Sequence, residues 1–193
     1  MLDHLVYVVH DLPAAVAKFT AAGYPPSVGG HHTERGTYNA LLRLGDMSYL
    51  ELLAIDPHTE VPAPRWMGAD LVQEPGITRW AVHAGAVSDR RPMMAGSRRL
   101  ADGRTLRWQL TDPGVEPAID LIPFTIDWSD SEAHPANDLP DLGLSVEHLL
   151  LWHPDPESVN ARLSAMGLPQ TAVRGAAPKI EAVLRGPKGK MQL

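Results

Sequence analysis

Two stretches of the chain share one order of apolar and polar positions. Residues 3–23 contain a short apolar strand that opens Asp-His-Leu, an aspartate seven residues after the histidine, and a glycine twelve residues later. Residues 147–167 repeat this spacing, with Glu in place of the first Asp. An aspartate at a strand end can cap a helix, and a glycine suits the left-handed position after a helix end. Each stretch therefore predicts a β-strand followed by an α-helix.

The two copies also end alike. Residues 42–52 and 183–193 each contain a strand-like run, a turn with glycine and a second strand-like run, in the order typical of a tight hairpin. Glu51 and Gln192 each lie six residues after the turn glycine. The pattern therefore predicts two βαβββ modules, over residues 1–56 and 145–193, the second of which is clipped one residue after Gln192.

Residues 76–128 form a degraded third copy. Strand-like runs cover 78–83, 105–110 and 118–128, but the interval where a helix belongs, 87–100, contains a proline, a glycine and four arginines. The segments 56–75 and 129–143 are rich in Pro, Asp and Ser and are predicted to be connections. Together the copies indicate an α+β fold in one compact globular unit.

Alternation places particular side chains on shared faces of the predicted sheet. His4, Val6 and Val8 point to one side while Asp3 and Leu5 point to the other. Glu51 lies in a strand that is apolar on both faces, where an ionised carboxylate is costly unless it is paired or coordinated. His4 and Glu51 can converge on a concave surface, with His148 and Gln192 as their counterparts in the last copy. Imidazole, carboxylate and amide oxygen together suit a divalent metal ion, although His4 alone is equally compatible with a structural histidine.

Composition removes several classes of function. The formal charge of −6 gives no attraction to nucleic acid or to an anionic membrane, and the absence of cysteine removes thiolate sites. Dinucleotide, phosphate-loop and serine-hydrolase motifs are also missing from the sequence. We expect a small-molecule substrate or ligand as the partner, and modules that pair with one another favour a homodimer. The amino terminus has neither a basic region nor a continuous apolar block, so a cytoplasmic location is expected.

Other polar and aromatic residues have plain interpretations. A basic run in the middle copy is typical of a solvated face, with an anion-binding role as the alternative; it comprises the arginines at 90, 91, 98, 99, 104 and 107. Trp80, Trp108 and Trp128 are expected in the core rather than as a stacking surface. His134 is expected in a turn or at the surface.

The chain resembles the glyoxalase-like branch of the vicinal oxygen chelate superfamily. The resemblance depends on LDHLVYVVHDLPAAVAKFTAAGY, on GGHHTERGTYNALLRLGDMSYLELLAI, and on VEHLLLWHPDPESVNARLSAMGL with IEAVLRGPKGKMQL. It implies paired modules whose mixed sheets curl into a cup, with a metal held by His or Gln at first strands and by Glu at fourth strands.

The resemblance assigns site residues by position. His4, Glu51 and His148 match its metal ligands, while Gln192 stands where many members have a glutamate that transfers a proton, which an amide cannot do. His32, Thr37 and Asn39 match positions that line the cup and bind substrate. The first copy can pair with the middle copy or with the last. In the former case His148 and Gln192 lie away from His4, and Arg79, His83 or Asp120 faces the cup instead.

Three functions are compatible with these residues. The leading hypothesis is a divalent-metal-dependent lyase, isomerase or dioxygenase that acts on a small polar metabolite, with Glu51 as the catalytic group. The alternative is a non-catalytic protein that sequesters a ligand in the cup, as resistance-type relatives do. The third is a homologue whose site has decayed.

Overall fold

The computed structural model of the protein describes residues 1–100 and 102–193. Its strands are β1 (Leu2–Val8), β2 (Ser27–His32), β3 (Thr37–Arg43), β4 (Tyr49–Ile55), β5 (Gly76–His83), β6 (Met93–Arg99), β7 (Thr105–Thr111), β8 (Phe124–Asp127), β9 (Ser145–His153), β10 (Ala172–Arg174), β11 (Lys179–Gly186) and β12 (Gly189–Gln192). Its helices are α1 (Leu12–Ala21), α2 (Pro135–Asp138) and α3 (Pro156–Ala165), and 3₁₀ turns cover Trp66–Gly68 and Ala84–Ala86. None of the helices in this part of the chain is long and apolar enough to cross a membrane.

The helix signals of the two outer copies are confirmed. Asp11 caps α1 by accepting from the Ala14 N–H at 2.9 Å, and Asp155 caps α3 by accepting from the Ser158 N–H at 3.3 Å. Gly23 and Gly167 follow the helices with φ values of 86° and 77°, the left-handed region that glycine adopts without a Cβ penalty.

The middle copy has no α-helix in the position that α1 and α3 occupy. After β5 the chain makes the short 3₁₀ turn and then forms β6, which pairs with β7 along its whole length. Residues 93–99 alternate between exposed and half-buried positions, as a strand with one face over a cavity does. Pro92 and Gly96 oppose a helix here, so the arginine-rich interval becomes an edge strand.

The first and middle copies pair with each other. In the first copy β1 lies parallel to β4, and in the middle copy β5 lies parallel to β8. β1 and β5 are antiparallel neighbours, so the strands run in the order β2-β3-β4-β1-β5-β8-β7-β6. This curled mixed sheet confirms the predicted fold class and resolves the choice of partner: the cup is built from residues 2–127.

The last copy has the predicted elements in a different strand order. Its strands run β10-β9-β11-β12, with β10 parallel to β9, whereas the first copy runs β1-β4-β3-β2. β11 also meets β5 at Ile180 and Ile77. The free edge of β5 is therefore shared, with β8 beside residues 81–83 and β11 beside its beginning. The last copy extends the sheet rather than closing the cup.

The two faces of β1 and β4 contribute to two separate apolar cores. Leu5, Leu50 and Leu52 belong to a core that includes Phe19 of α1. Val6 and Leu53 belong to a second core with residues of β8, inside the cup. The alternation predicted from the sequence is confirmed for these apolar positions, and Asp3 is the exception to it.

Candidate active site

His4 and Glu51 meet in the wall of the cup, as expected. His4 is 3% exposed and Glu51 is 5% exposed, and both line a cavity of about 650 Å³. The Nε2 atom of His4 lies 3.9 Å from the Oε2 atom of Glu51. The adjacent parallel strands explain this proximity, because His4 pairs with Tyr49 and Val6 pairs with Glu51.

A β-bulge near the start of β1 changes the direction of Asp3. The ladder between β1 and β5 shifts register between Leu2 and His4, leaving Asp3 as the extra residue. The Oδ1 atom of Asp3 therefore lies 2.6 Å from Nδ1 of the adjacent His4. The expectation that these two side chains point to opposite faces is wrong, because the alternation rule fails at a bulge.

Asp3 is fully buried and is surrounded by nitrogen donors. Its Oδ2 atom accepts from Trp128 Nε1 at 3.0 Å and from His134 Nε2 at 3.2 Å, and it lies 3.1 Å from His83 Nδ1. Burial alone raises the pKa of Asp3, but the hydrogen bonds from His134 and His4 outweigh it and hold the pKa well below its ordinary value. Asp3 is therefore a stable buried carboxylate.

The hydrogen bond between His4 and Asp3 determines which nitrogen of His4 faces the cup. An ionised carboxylate only accepts, so Nδ1 of His4 carries the proton that it donates to Asp3. In the neutral imidazole Nε2 then has the free lone pair, directed toward Glu51. Tyr49 stacks on His4 with ring centroids 4.6 Å apart. These contacts orient His4 as a base or as a ligand.

Glu51 is oriented by the amide of Asn39. The Gly30 N–H donates to Asn39 Oδ1 at 2.8 Å, which identifies the other amide atom as the nitrogen. Asn39 Nδ2 donates to Glu51 Oε1 at 2.6 Å, leaving Oε2 to face His4. Asn39 was expected to bind substrate; it lines the cup and also positions the carboxylate.

His32 and Thr37 are neighbours at the same wall. His32 lines the cup, and burial is the largest cause of its lowered pKa, partly opposed by the charge of Glu51. Thr37 is buried, and its hydroxyl lies 3.0 Å from His32 Nδ1. Substrate binding by Thr37 stays a prediction: its side chain is not among those that line the cup, and its hydroxyl contacts His32 instead.

The metal site implied by the resemblance needs ligands from two paired modules. In the antiparallel β1–β5 ladder His4 pairs with Ala81, and Val6 pairs with Arg79. The two-fold axis midway between these two pairs superposes β1 on β5 and relates His4 to Arg79. Ala81 pairs with Phe124 as Val6 pairs with Glu51, so the counterpart of Glu51 is Phe124. Neither a guanidinium nor a phenyl ring offers a lone pair to coordinate a metal ion. Half of the ligand set is therefore missing, and the cup does not fit a four-ligand metal site.

Arg79 binds backbone carbonyl groups and does not face the cup. Its guanidinium donates to the carbonyl oxygens of Pro113, Pro117 and Ala118 at 2.7–3.2 Å, and to that of Thr78. Burial is the main cause that lowers the pKa of Arg79. These bonds fix the loop between β7 and β8, so Arg79 is directed at backbone rather than at the cup.

His148 and Gln192 lie outside the cup. His148 of β9 and Gln192 of β12 both pair with Val183, from opposite sides of β11. In the strand order of the sheet, β11 and β5 lie between these two strands and β1. The His148 side chain is 60% exposed, and Gln192 lines a different cavity of about 380 Å³ beside α1. The predicted four-ligand set of His4, Glu51, His148 and Gln192 is therefore corrected: only His4 and Glu51 come together.

Asp3, His83 and His134 form another group of ligand-type atoms, all within 4.8 Å of one another, a spacing that could hold a metal ion. His134 Nδ1 already accepts from the Ala136 N–H, so its Nε2 carries a proton and donates to Asp3. Trp128 donates to the same carboxylate oxygen. Asp3 is thus satisfied by His4, His134 and Trp128 and supports His4, while Nε2 of His83 is buried without a partner among the described residues.

Several of these residues were missed or misplaced by the sequence interpretation. His134 is buried rather than at the surface, and its only sequence signal is the proline that follows it at the start of α2. Trp80 is in the core as expected, but Trp108 and Trp128 line the cup, with ring centroids 5.6 Å apart. Asp3 gave a signal only as the neighbour of His4.

Comparison with known proteins supports the architecture. The model of the glyoxalase-like domain matches residues 2–167. A hypothetical protein from Staphylococcus aureus has a similar structure, with a TM-score of 0.67, 17% identity, and coverage of 92% of this chain and 87% of that chain. None of the curated proteins compared matches the chain.

Two further solved structures are epimerases. A methylmalonyl-CoA epimerase variant from Streptomyces coelicolor, in complex with 2-nitronate-propionyl-CoA, is 20% identical over 69% of this chain and 97% of its own, with a TM-score of 0.43. The methylmalonyl-CoA epimerase from Mycobacterium tuberculosis is 19% identical over 65% and 85%, with a TM-score of 0.40. The family model covers most of the chain, and the chain therefore belongs to the glyoxalase-like domain family of the vicinal oxygen chelate superfamily.

Proposed function

We propose that the cup is the active site of an isomerase or lyase that removes a proton from the carbon next to a carbonyl group in a small polar metabolite. The observation that carries this proposal is the pair of proton acceptors, His4 Nε2 and Glu51 Oε2, 3.9 Å apart in the cavity wall. Each is fixed through its other polar atom, His4 by Asp3 and Glu51 by Asn39. Fixed groups lose little freedom when the substrate binds, which favours catalysis.

The reaction follows from the two free acceptor atoms. Glu51 Oε2 takes the proton from the carbon, and the C–H electrons move toward the carbonyl oxygen to form an enolate. The proton can pass to His4 Nε2, where the resulting imidazolium is stabilised by Asp3 through the bond at Nδ1. Return of the proton to another position gives an isomer, and loss of a leaving group from the adjacent carbon gives the product of a lyase. Asp3 and Asn39 are positioning residues.

The metal-dependent form of this hypothesis has less support from the donor set. Of the positions that the resemblance assigns to metal ligands, only those of His4 and Glu51 carry ligand atoms in the cup, since Arg79 and Phe124 occupy the two-fold-related positions. An ion held by this pair would take its remaining ligands from water or from substrate. Proton transfer by the pair itself needs no further ligand.

A non-catalytic binder is the second candidate. It is favoured by the apolar side of the cup, where Trp108 and Trp128 lie beside Met67, Leu110 and Ile126. In that case the cup would hold a ligand without changing it. The two candidates differ in whether a bound compound exchanges carbon-bound hydrogen with solvent.

Deuterium exchange tests the proposal. The protein is incubated in D₂O with 2-oxobutanoate and with 2-oxo-4-phenylbutanoate, and loss of the C3–H signal is followed by proton NMR. We expect exchange above the spontaneous rate, lowered about 10²- to 10⁴-fold in His4→Asn and Glu51→Gln. The matched control His58→Asn, at an exposed position, should retain the wild-type rate.

Exchange should persist after dialysis against EDTA. Loss of exchange on chelation would contradict catalysis by the pair alone. Binding of these compounds without any exchange would favour the sequestering protein instead.

A further inference from the structure

Arg98 projects toward the cup from the edge strand β6. It pairs with Leu106 of β7, as Gly96 pairs with Trp108 and Met94 with Leu110. Directly paired residues share a face, and Leu106, Trp108 and Leu110 line the cup. Arg98 is half-buried on this face, while its neighbour Arg99 is exposed on the other.

The guanidinium of Arg98 lacks a protein partner among the residues that the structure describes. Three other arginines of the middle copy form ion pairs: Arg91 with Asp89, Arg104 with Asp102, and Arg107 with Glu132. A half-buried cation has lost part of its hydration without gaining an ion pair, so the cup carries an unbalanced positive charge at this point.

Arg98 reaches across the opening of the cup. A Cβ on Gly30 of β2 would lie only 2.9 Å from both Cδ and Nη1 of Arg98, so the glycine leaves room for the guanidinium. Burial dominates the pKa values of His32 and Tyr49, and the charge of Arg98 lowers both of them. The guanidinium is therefore within electrostatic range of the walls that hold Glu51 and His4.

A flat apolar surface lies next to this cation. Trp108 is diagonal to Arg98 across the β6–β7 pair, and its indole covers Gly96, where a Cβ would overlap Nε1. Trp108 and Trp128 form a tilted pair in the lining. Indole faces bind flat rings by stacking.

The charges of the lining limit the ligand to a weakly anionic one. The lining contains three arginines, at positions 35, 98 and 107, and four acidic residues, at positions 34, 51, 127 and 130. This excess of one acid repels a dianionic phosphate more strongly than it repels a single carboxylate. A single carboxylate suits the planar fork of one guanidinium.

We propose that Arg98 binds the carboxylate of a flat, aromatic organic acid whose ring lies against Trp108 and Trp128. The inference rests on the proposed function for its place in the same cup, and it names the substrate class of that site. It predicts that the negative charge of the ligand, rather than the size of its ring alone, determines the affinity of the ligand for the cup.

Isothermal titration calorimetry with 2-naphthoate and its neutral analogue 2-naphthamide tests the proposal. We expect wild-type protein to bind 2-naphthoate at least about tenfold more tightly than 2-naphthamide, because only the carboxylate forms a charge-assisted hydrogen bond with Arg98. Arg98→Gln should lose that preference and leave 2-naphthamide affinity unchanged. Trp108→Leu should weaken both compounds alike.

Arg99→Gln is the matched control, because it removes the same charge from the other face of the same strand. It should leave both affinities unchanged. Equal binding of the two probes by wild-type protein, no binding of either, or equal losses in Arg98→Gln and Arg99→Gln would overturn the proposal. Wild-type protein that catalyses deuterium exchange but binds both probes equally would remove this inference and leave proton transfer by His4 and Glu51 standing.

Discussion

At the scale of single residues, Asp3 connects the proposed proton transfer to stability. A buried carboxylate is stable only when donors replace its lost hydration, and Asp3 accepts from His4, His134 and Trp128. When the His4 ring is neutral, its bond to Asp3 places the free lone pair on Nε2, toward the cup. The network that stabilises the carboxylate therefore also orients His4 for the proposed proton transfer.

Asp3→Asn should change the pH dependence of stability. The folded-state pKa of Asp3 is lowered from its ordinary value of 3.8, so the folded protein binds fewer protons than the unfolded chain below about pH 4. Its contribution is present above that pH and is lost as the pH falls toward the folded pKa. We expect Asp3→Asn to lose about 1–3 kcal/mol at pH 7 and to show a flatter decline between pH 4 and pH 2. Urea unfolding across this range measures both.

The control for this prediction is Asp46→Asn, which alters a fully exposed aspartate near Arg43. It should change the free energy of unfolding by less than about 0.5 kcal/mol at every pH. Parallel pH curves for wild-type protein and Asp3→Asn would contradict the assigned role of Asp3.

The sequence predicted part of the residue-level site. Glu51 was found because a carboxylate among apolar residues is costly unless it is paired or coordinated, and His4 because its pattern recurs in the last copy and matches the family resemblance. Asp3 was misplaced because a bulge has no signature in the alternation. His148 was included because its local pattern repeats that of His4, and a local pattern does not determine which strands become neighbours.

At the scale of elements, β6 and β7 form the part of the cup that binds the flat portion of the ligand. Gly96 permits this, since Trp108 lies on it and any larger residue would displace the indole. The sequence predicted the caps of α1 and α3 because capping depends on nearby residues. It did not predict β6 as a strand, because neither face of β6 is consistently apolar: Met94 shares the cup side with Arg98, and Met93 shares the exposed side with Arg99.

Gly96→Ala should move Trp108 and weaken ligand binding. Overpacking against a ring costs about 1–3 kcal/mol, so we expect a lower melting temperature and a changed tryptophan signal in the near-ultraviolet circular dichroism spectrum. Affinity for 2-naphthoate should fall with it. Gly85→Ala is the control, since a Cβ there meets nothing within 4 Å. Identical spectra for Gly96→Ala and wild-type protein would show that the indole does not cover Gly96.

At the scale of the whole molecule, the middle copy pairs with the first copy although the last copy resembles the first more closely in sequence. β5 offers β1 a long antiparallel ladder, while β11 reaches β5 at a single residue pair. Local periodicity predicts the first strand, the helix and the hairpin of the two outer copies, but the sheet order depends on long-range edges. The predicted metal ligands His148 and Gln192 are consequently separated from the cup.

The double variant His148→Ala/Gln192→Ala tests this arrangement. Both side chains lie on strands beyond β5, and neither lines the cup. We therefore expect deuterium exchange and 2-naphthoate affinity within about twofold of wild type, and a change in unfolding free energy below about 1 kcal/mol, because substitutions at exposed sites have small effects. His4→Asn, measured alongside, should abolish exchange. A tenfold loss of either activity in the double variant would mean that the last copy contributes to the site and that the order of the sheet differs from the one described.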